Sequence, residues 1–409
     1  MYRCPVREYQ LHDMHFKPNS LGFTIILGVL AAMLPLSIDM GLPALPAISS
    51  SLNASPAAVG LTLSLFMAGY ATSQLAFGPL SDCYGRKPVL LAGCGLFVFA
   101  SVACAIAPSI NALLACRFFQ GVGAGVGMTL MLAMVRDLFE GATARTQLSY
   151  INIVINIAPI IAPTIGGVVL KIANWRAIYG VLAIVGLVLI LAIALGLEES
   201  IKSRDINALK THRLLGNYLH ILSNRVFFGY ALVDALSFGC MFAYVAGSSL
   251  VIVKVLGLST TTYGLLFAST AIGLLAGSFL SGILNSRGMS STGLLSFGLV
   301  LGATTAIALV FVSVTGAAQL LTLLPLLIIN TFCYGLIAPN AIHHALQSVE
   351  GMAGSAGAVI GFMEMLSGSL ASFMIGFFFD GHTVNVMSEV MALFAIASLA
   401  TYTPLQFHK

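Results

Sequence analysis

Gly78-Pro-Leu-Ser-Asp-Cys-Tyr-Gly-Arg-Lys-Pro88 is a charged, glycine-flanked turn between two apolar stretches at 56–80 and 87–107. Each flank reaches the roughly 20 residues that a helix needs to cross a bilayer, so the turn reads as the point where the chain meets water between two membrane helices. Its glycines let the two helices meet closely. Arg86 and Lys87 are expected among lipid headgroups, and Asp82 is left as an acceptor for a neighbouring helix end.

The rest of the chain has the same character. Of 409 residues, 58% are hydrophobic and 8% charged, too little charge to clothe soluble domains. Lipid as solvent demands that backbone groups be satisfied within each span, which makes the expected fold class an all-α polytopic membrane protein. The cysteines (Cys4, Cys83, Cys94, Cys104, Cys116, Cys240 and Cys333) form no CxxC pair, and most lie in apolar spans. They indicate neither a zinc site nor a disulfide framework. The first twenty residues mix Arg3, Arg7, Glu8, Asp13 and Lys17, too polar for a signal peptide, and Met14 is an alternative start.

Hydropathy windows place spans at 21–46, 56–80, 87–107, 110–135, 143–170 and 176–197, then at 222–248, 262–284, 291–313, 318–341, 354–379 and 386–405. The domain reading is a tail at 1–20, a six-helix bundle at 21–197, a linker at 198–221, a second six-helix bundle at 222–405 and a tail at 406–409. With both termini cytoplasmic, the inside segments hold Arg3, Arg7, Lys17, Arg86, Lys87, Arg136, Arg145, Lys202, Arg204, Lys210, Arg213, Arg225, Arg287 and Lys409. The outside loops then hold only Lys171, Arg176 and Lys254. The positive-inside rule selects that orientation.

The two halves read as repeats. A shift of 204 positions superposes Leu61, Gly69, Gly78 and Leu80 on Leu265, Gly273, Gly282 and Leu284, and Gly282-Ile-Leu-Asn-Ser-Arg-Gly288 is a worn copy of the first turn. Parallel six-helix repeats are a known transporter architecture.

Few charged residues lie inside the spans. Asp39 in span one is the most informative, because an acid there costs about 2.5–3.5 kcal/mol and needs water or a partner. Such a group can take a proton from one side and release it to the other; the plainer reading is a snorkelling or capping acid. Arg117 in span four can pair with an acid, with backbone carbonyls or with Gln120, as a coupling residue or as a clamp between helices. Asp234 and Glu364 are secondary proton or cation candidates, alternatively protonated packing residues. His343 and His344 sit at the end of span ten, and read as interfacial. Pro159 and Pro163 each delete a backbone donor in span five and are expected to kink it, while Gly166 and Gly167 admit a close neighbour. The start of span eleven, Gly354-Ser-Ala-Gly357, could offer its dipole to Asp82 in one conformation only, a conformational latch.

Gly-x-x-x-Asp-x-x-Gly-Arg-Lys-Pro between spans two and three resembles the signature of the major facilitator superfamily, and the twelve spans fit it over the whole chain. Further segments resemble its bicyclomycin/chloramphenicol-resistance branch of bacterial drug:proton antiporters. These are Asp39-Met-Gly-Leu-Pro-Ala-Leu-Pro46 (Gly41 where Tyr is usual), Arg117-Phe-Phe-Gln-Gly-Val-Gly123, Ala158-Pro-Ile-Ile-Ala-Pro-Thr-Ile-Gly-Gly167 (Ala162 where many have Gly), Phe242-Ala-Tyr244 and Gly354-Ser-Ala-Gly357. Glu364 stands where Gln is expected.

The resemblance implies proton coupling through Asp39 and Arg117, gating by Gly78, Asp82, Gly85, Arg86 and Lys87, and closure of the periplasmic half by Pro159, Pro163, Gly166 and Gly167. Gln120, Phe242 and Tyr244 are candidate substrate-cavity residues. The implied function is proton-coupled export of small, fairly apolar compounds by alternating access, with an importer or symporter of the same superfamily as the alternative.

A membrane enzyme or sensor would need a polar catalytic cluster or an output domain, and the stretch 198–224 supplies neither. Gly121–Gly127 lacks the strand and lysine of a phosphate loop, so the proton motive force, without cofactor or ATP, is the expected energy source. The expected partners are a small-molecule substrate, protons and membrane lipid, with no metal and no nucleic acid. The chain is expected as a monomer, multi-pass in a bacterial inner membrane with both termini cytoplasmic.

Overall fold

The computed structural model describes residues 16–405 except 19, 202, 207, 350–351 and 380–381. Cys4, Met14, Lys202 and most of the two expected tails lie outside the described residues. The first span is broken into α1 (Leu21–Ala31), α2 (Met33–Asp39), a 3₁₀ turn (Leu42–Ala44) and α3 (Leu45–Ser51). There follow α4 (Pro56–Tyr84), α5 (Arg86–Ala105), α6 (Ile110–Leu138), α7 (Gly141–Ile172) and α8 (Trp175–Gly196). A linker helix α9 (Thr211–Ser223) leads to α10 (Arg225–Ser249), α11 (Thr260–Ser286), α12 (Ser291–Val314), α13 (Leu320–Gln347), α14 (Ala353–Phe378) and α15 (Asn385–Leu405).

Ten of these helices are long and apolar enough to cross a membrane, and the bent first span makes eleven. The twelfth is α4, 29 residues and roughly 44 Å long at 1.5 Å per residue. Its hydropathy is diluted by Thr62, Ser64, Ser73, Gln74 and Ser81, all of which it buries against other helices and not in lipid. Outward-facing Phe99, Ile106, Ile184, Leu195, Phe279 and Phe311 are exposed and form an apolar surface suited to acyl chains.

Helix starts follow from their caps. Ser55 accepts from the Ala58 amide ahead of Pro56, Ser109 from Ala112, and Asn224 from both Val226 and Phe227. The break in span one corrects the continuous helix expected at 21–46. The two parts differ by 49°, and the physical cause is Pro35, whose missing N–H would have bonded the Ala31 carbonyl, followed by Pro43 and Pro46. In α7, by contrast, the helix runs uninterrupted through Pro159 and Pro163. α10 also overruns its expected end as a π-helical turn, Leu250–Val255.

The repeat is visible in the packing. A Cβ on Gly69 would strike the Phe118 carbonyl and one on Gly121 the Phe66 carbonyl, so α4 and α6 touch backbone to backbone. The same reciprocal contact recurs between α11 and α13: Gly277 meets the Phe332 carbonyl and Gly335 the Leu274 carbonyl. Gly277 lies one helical turn beyond Gly273, the partner that the 204-residue shift assigns to Gly69. The halves meet along two long seams. α4 packs on α14, with Gly60 against Gly376 and Ser369 donating to the Ser64 carbonyl at 2.8 Å, and α7 packs on α11, with Thr164 beside Gly264. No comparable seam joins α6 to α13 among the described residues.

Candidate functional site: a buried chamber, two clamps and a strapped turn

Where the halves face each other lies a cavity of about 150 Å³, narrower than the roughly 300–1,000 Å³ of typical small-molecule sites. Asp39, at the end of α2, lines it together with Met67, Phe238, Phe242, Tyr244, Phe267 and Met365. Irregular backbone at membrane depth is tolerated where it borders a cavity, and the broken stretch of span one does so here. Asp39 is 5% exposed, and its carboxylate makes no hydrogen bond or ion pair with another described residue. It therefore lines the chamber as an acid with no counter-charge among the described residues, open to a proton or a ligand cation.

The wall opposite is aromatic. Tyr244 is held by a 2.8 Å hydrogen bond to Thr270 and stacks on Phe267 with ring centroids 6.0 Å apart. Phe238, one turn before Phe242, stacks on it at 5.7 Å. Sequence reading named Phe242 and Tyr244 and missed Phe238. The i, i+4 spacing of the two phenylalanines was the available signal.

Gln120 does not line this cavity, in correction of its assignment from sequence. It is fully buried inside the first bundle, where its Oε1 accepts from Arg117 Nη1 at 2.6 Å and its Nε2 donates to Ser101 at 2.8 Å. Arg117 also donates to the carbonyls of Thr62 and Ser37, each at 3.3 Å, and its guanidinium lies 4.3 Å from the centre of the Phe66 ring. One cation thus ties α6 to α2 and α4, and Gln120 ties it on to α5. No carboxylate among the described residues pairs with it.

The turn between α4 and α5 is a second clamp. Gly85 has φ +105°, a backbone that side chains rarely adopt. The following Arg86 is 2% exposed, which corrects its expected place among headgroups. Its Nε donates to Asp137 at 2.9 Å and its Nη1 to Ser81 and Asp82, each at 2.6 Å. Charge-assisted bonds of this kind offset the cost of burying the guanidinium.

The linker straps this turn. Glu199 accepts from the backbone amides of Arg86 and Lys87 at 2.8 and 3.3 Å, capping the first turn of α5 with a negative charge. Asp205 N donates to the Asp82 carbonyl at 3.0 Å, Lys87 Nζ to the Ala194 carbonyl at 3.0 Å, and Tyr218 of α9 to the Leu75 carbonyl at 2.9 Å. Sequence reading took 198–221 as a connector and saw neither its helix nor this cap, because a linker acid carries no local sign of its distant partner. Asp82 is engaged within its own turn here. The cation beside the start of α14 is Arg136, whose Nη1 lies 3.2 Å from where a Gly354 Cβ would stand.

The remaining candidates fall into two groups. Gly166 and Gly167 are buried, and a Cβ on Gly166 would collide with the Met40 carbonyl, so α7 presses directly on the end of α2 beside Asp39. Pro159 lines the chamber and Pro163 is buried. Asp234 in α10 is fully buried, and α10 packs against α14, which carries Glu364. His344 is held by Ser291 at 2.9 Å and stacks on Tyr230.

Two six-helix bundles related by a repeat, around a central chamber at membrane depth, define a secondary transporter. The chain belongs to the Major Facilitator Superfamily, which it matches over residues 27–372. It is 33% identical over 392 residues to an uncharacterized MFS-type transporter, YdgK, of Bacillus subtilis (strain 168), covering 93% of this chain and 95% of that protein. It is 29% identical over 398 residues to a bicyclomycin resistance protein homolog of Haemophilus influenzae, covering 95% and 97%. Among solved structures, a bacterial homolog of the human lysosomal transporter Spinster, in an inward-facing and occupied conformation, superposes with a TM-score of 0.74 at 14% identity, covering 96% of this chain and 97% of that one.

Proposed function

We propose that this chain is a proton-coupled exporter of small, fairly apolar compounds, driven by the proton motive force through alternating access of its two bundles. The observation that carries the reading is Asp39: a buried acid, without a partner among the described residues, in an aromatic and methionine-lined chamber shared by both halves. A proton and a substrate competing for that acid couple their fluxes, because each favours a different protonation state of one group. The similarity to a bicyclomycin resistance protein homolog supports the direction of transport.

In this reading the bundles span 21–197 and 222–405, and the membrane is a bacterial inner membrane with both termini and the α4–α5 turn on the cytoplasmic face. The chain works as a monomer in lipid. The α4–α14 and α7–α11 seams close the periplasmic side of the chamber, with Pro159, Pro163, Gly166 and Gly167 forming the tight part of the closure. Gly78, Asp82, Gly85, Arg86 and Lys87 gate the cytoplasmic side. Arg117 holds span one in register with the coupling acid.

The test is expression in an efflux-deficient bacterium, with accumulation of a chemically broad panel of compounds followed before and after a protonophore. Lower accumulation that the protonophore abolishes is expected for at least one apolar compound. Gradient-driven accumulation inside the cells would instead indicate uptake.

A further inference from the structure

α5 and α6 pack as an antiparallel pair whose register is fixed by contacts at successive turns. A Cβ on Gly93 would lie 2.6 Å from the Val126 Cβ, one on Gly123 would strike the Phe97 backbone, and Gln120 donates to Ser101 at 2.8 Å. Position 93 thus faces 126, 97 faces 123 and 101 faces 120, each pair one turn further from the α4–α5 turn than the last. The next turn in the series pairs 104 with 116, and both are cysteines. Cys104 is 0% exposed and belongs to the core against which the partly buried Cys116 packs. Both are free thiols.

Cys104 lies in the last turn of α5, at the opposite end from Arg86 and the strapped turn. On the export reading that end faces the periplasm, where thiols that can meet are oxidised. The two sulfurs also differ in access. Cys116, partly buried, is the one that a reagent reaches first, and Cys104, buried behind it, is placed to resolve what forms there.

We propose that Cys104 and Cys116 are a modification site: a dithiol that exchanges with a small external disulfide and closes into a staple between α5 and α6. The Cys116 sulfur, having lost its proton, attacks the external disulfide, breaks its S–S bond and forms a mixed disulfide. The first leaving thiolate takes up that proton. The Cys104 sulfur then loses its proton and attacks Cys116, forming the bond between the helices and expelling a second external thiol. Two protein thiols are oxidised by two electrons, and the external disulfide is reduced to two thiols. The staple would lie one turn from the Ser101–Gln120 bond and so fix the hairpin that holds Arg117. The pairing stands on the helix register; only the compartment that would oxidise it rests on the export reading.

The experiment treats the full chain, reduced and purified in detergent, with dipyridyl disulfide, a small reagent soluble in apolar regions. Remaining thiols are then alkylated, and the digest is read by mass spectrometry without reductant. The expected product is a crosslink joining the peptides that carry Cys104 and Cys116, reversed by a reductant, in a chain whose melting temperature exceeds that of the reduced form. Cys116→Ser, at a partly buried position where the fold tolerates it, should show neither the crosslink nor the rise. Cys104→Ala should keep a pyridyl adduct on Cys116. In the unsubstituted chain a persistent adduct on Cys116, or two thiols that both stay free, overturns the inference. A chain that crosslinks and does not export refutes the export reading alone, and one that exports without crosslinking refutes the staple alone.

Discussion

Arg117 donates from Nη1 to the backbone carbonyl of Ser37 at 3.3 Å, two residues before Asp39. The same nitrogen reaches Gln120 at 2.6 Å, and Nε reaches the Thr62 carbonyl at 3.3 Å. The arginine thus sets the position of the chamber's acid through the backbone and not through a salt bridge. A coupling role for Arg117 and a clamping role become one statement about geometry: move the guanidinium, and the segment that carries Asp39 moves with it.

Gln120→Leu is therefore expected to destabilise the protein by about 1–3 kcal/mol, since it strips a buried guanidinium of its shortest acceptor and Ser101 of its donor. Arg117→Lys should be at least as damaging, because an ammonium cannot serve Ser37, Thr62 and Gln120 from one position. Thermal unfolding in detergent reads both. A lysine variant with unchanged melting temperature and transport would show that the fork is dispensable.

The Arg86 clamp makes an ordered prediction. Asp137 is mostly buried, with a side-chain exposure of 16%, whereas Asp82 is 40% exposed. Removing Asp137 leaves a buried cation short of its better-shielded partner, so Asp137→Ala should cost about 3–5 kcal/mol. Asp82→Ala should cost about 1 kcal/mol or less in stability. The order of the two melting temperatures is the check.

At the strapped turn, Gly85→Ala combines a strained φ with a Cβ that would collide with the Glu199 carboxylate. The strain alone is worth about 1–3 kcal/mol. Glu199→Ala should free the same segment more gently, at about 0.5–2 kcal/mol for a lost helix cap. Limited proteolysis between 198 and 210 is the sensitive readout: both variants should be cut faster than the parent, Gly85→Ala the more so.

The seam between α7 and α11 predicts a trap. Cysteines replacing Thr164 and Gly264, in a chain otherwise cleared of cysteine, stand close enough for a disulfide, given that a Gly264 Cβ would lie 3.4 Å from the Thr164 Cα. Oxidation should abolish transport and a reductant restore it. Full activity with the crosslink intact would mean that the halves do not separate there.

Much of this was legible before any coordinates. Long apolar runs separated by charged turns carry their own physics, so the spans and the two-bundle class followed from composition and spacing. Hydropathy windows placed α4 at 56–80 as well, although the polar residues it packs against α6 and α14 dilute its signal. Misses came where a residue's role depends on a partner far away in the chain. Gln120 read both as a partner of Arg117 and as a cavity residue; the first holds, and the Ser101 that completes its bonding inside the bundle is far away in the chain. Glu199 gave no sign of capping α5, and the full burial of Asp234 depends on the rotation of α10, which an apolar pattern leaves undefined. The break in span one was written in Pro35, Pro43 and Pro46, and was underweighted against a continuous hydropathy signal.

The central claim is that the Asp39 carboxylate carries the proton whose movement drives the cargo. Everted vesicles given an imposed proton gradient measure this directly, with wild type and Asp39→Asn compared at equal protein content and a substrate identified by the accumulation screen. Substrate movement by wild type should accelerate when the gradient is imposed, and movement by Asp39→Asn should not, although the variant still binds substrate. Equal gradient-dependent rates for the two proteins would contradict the account.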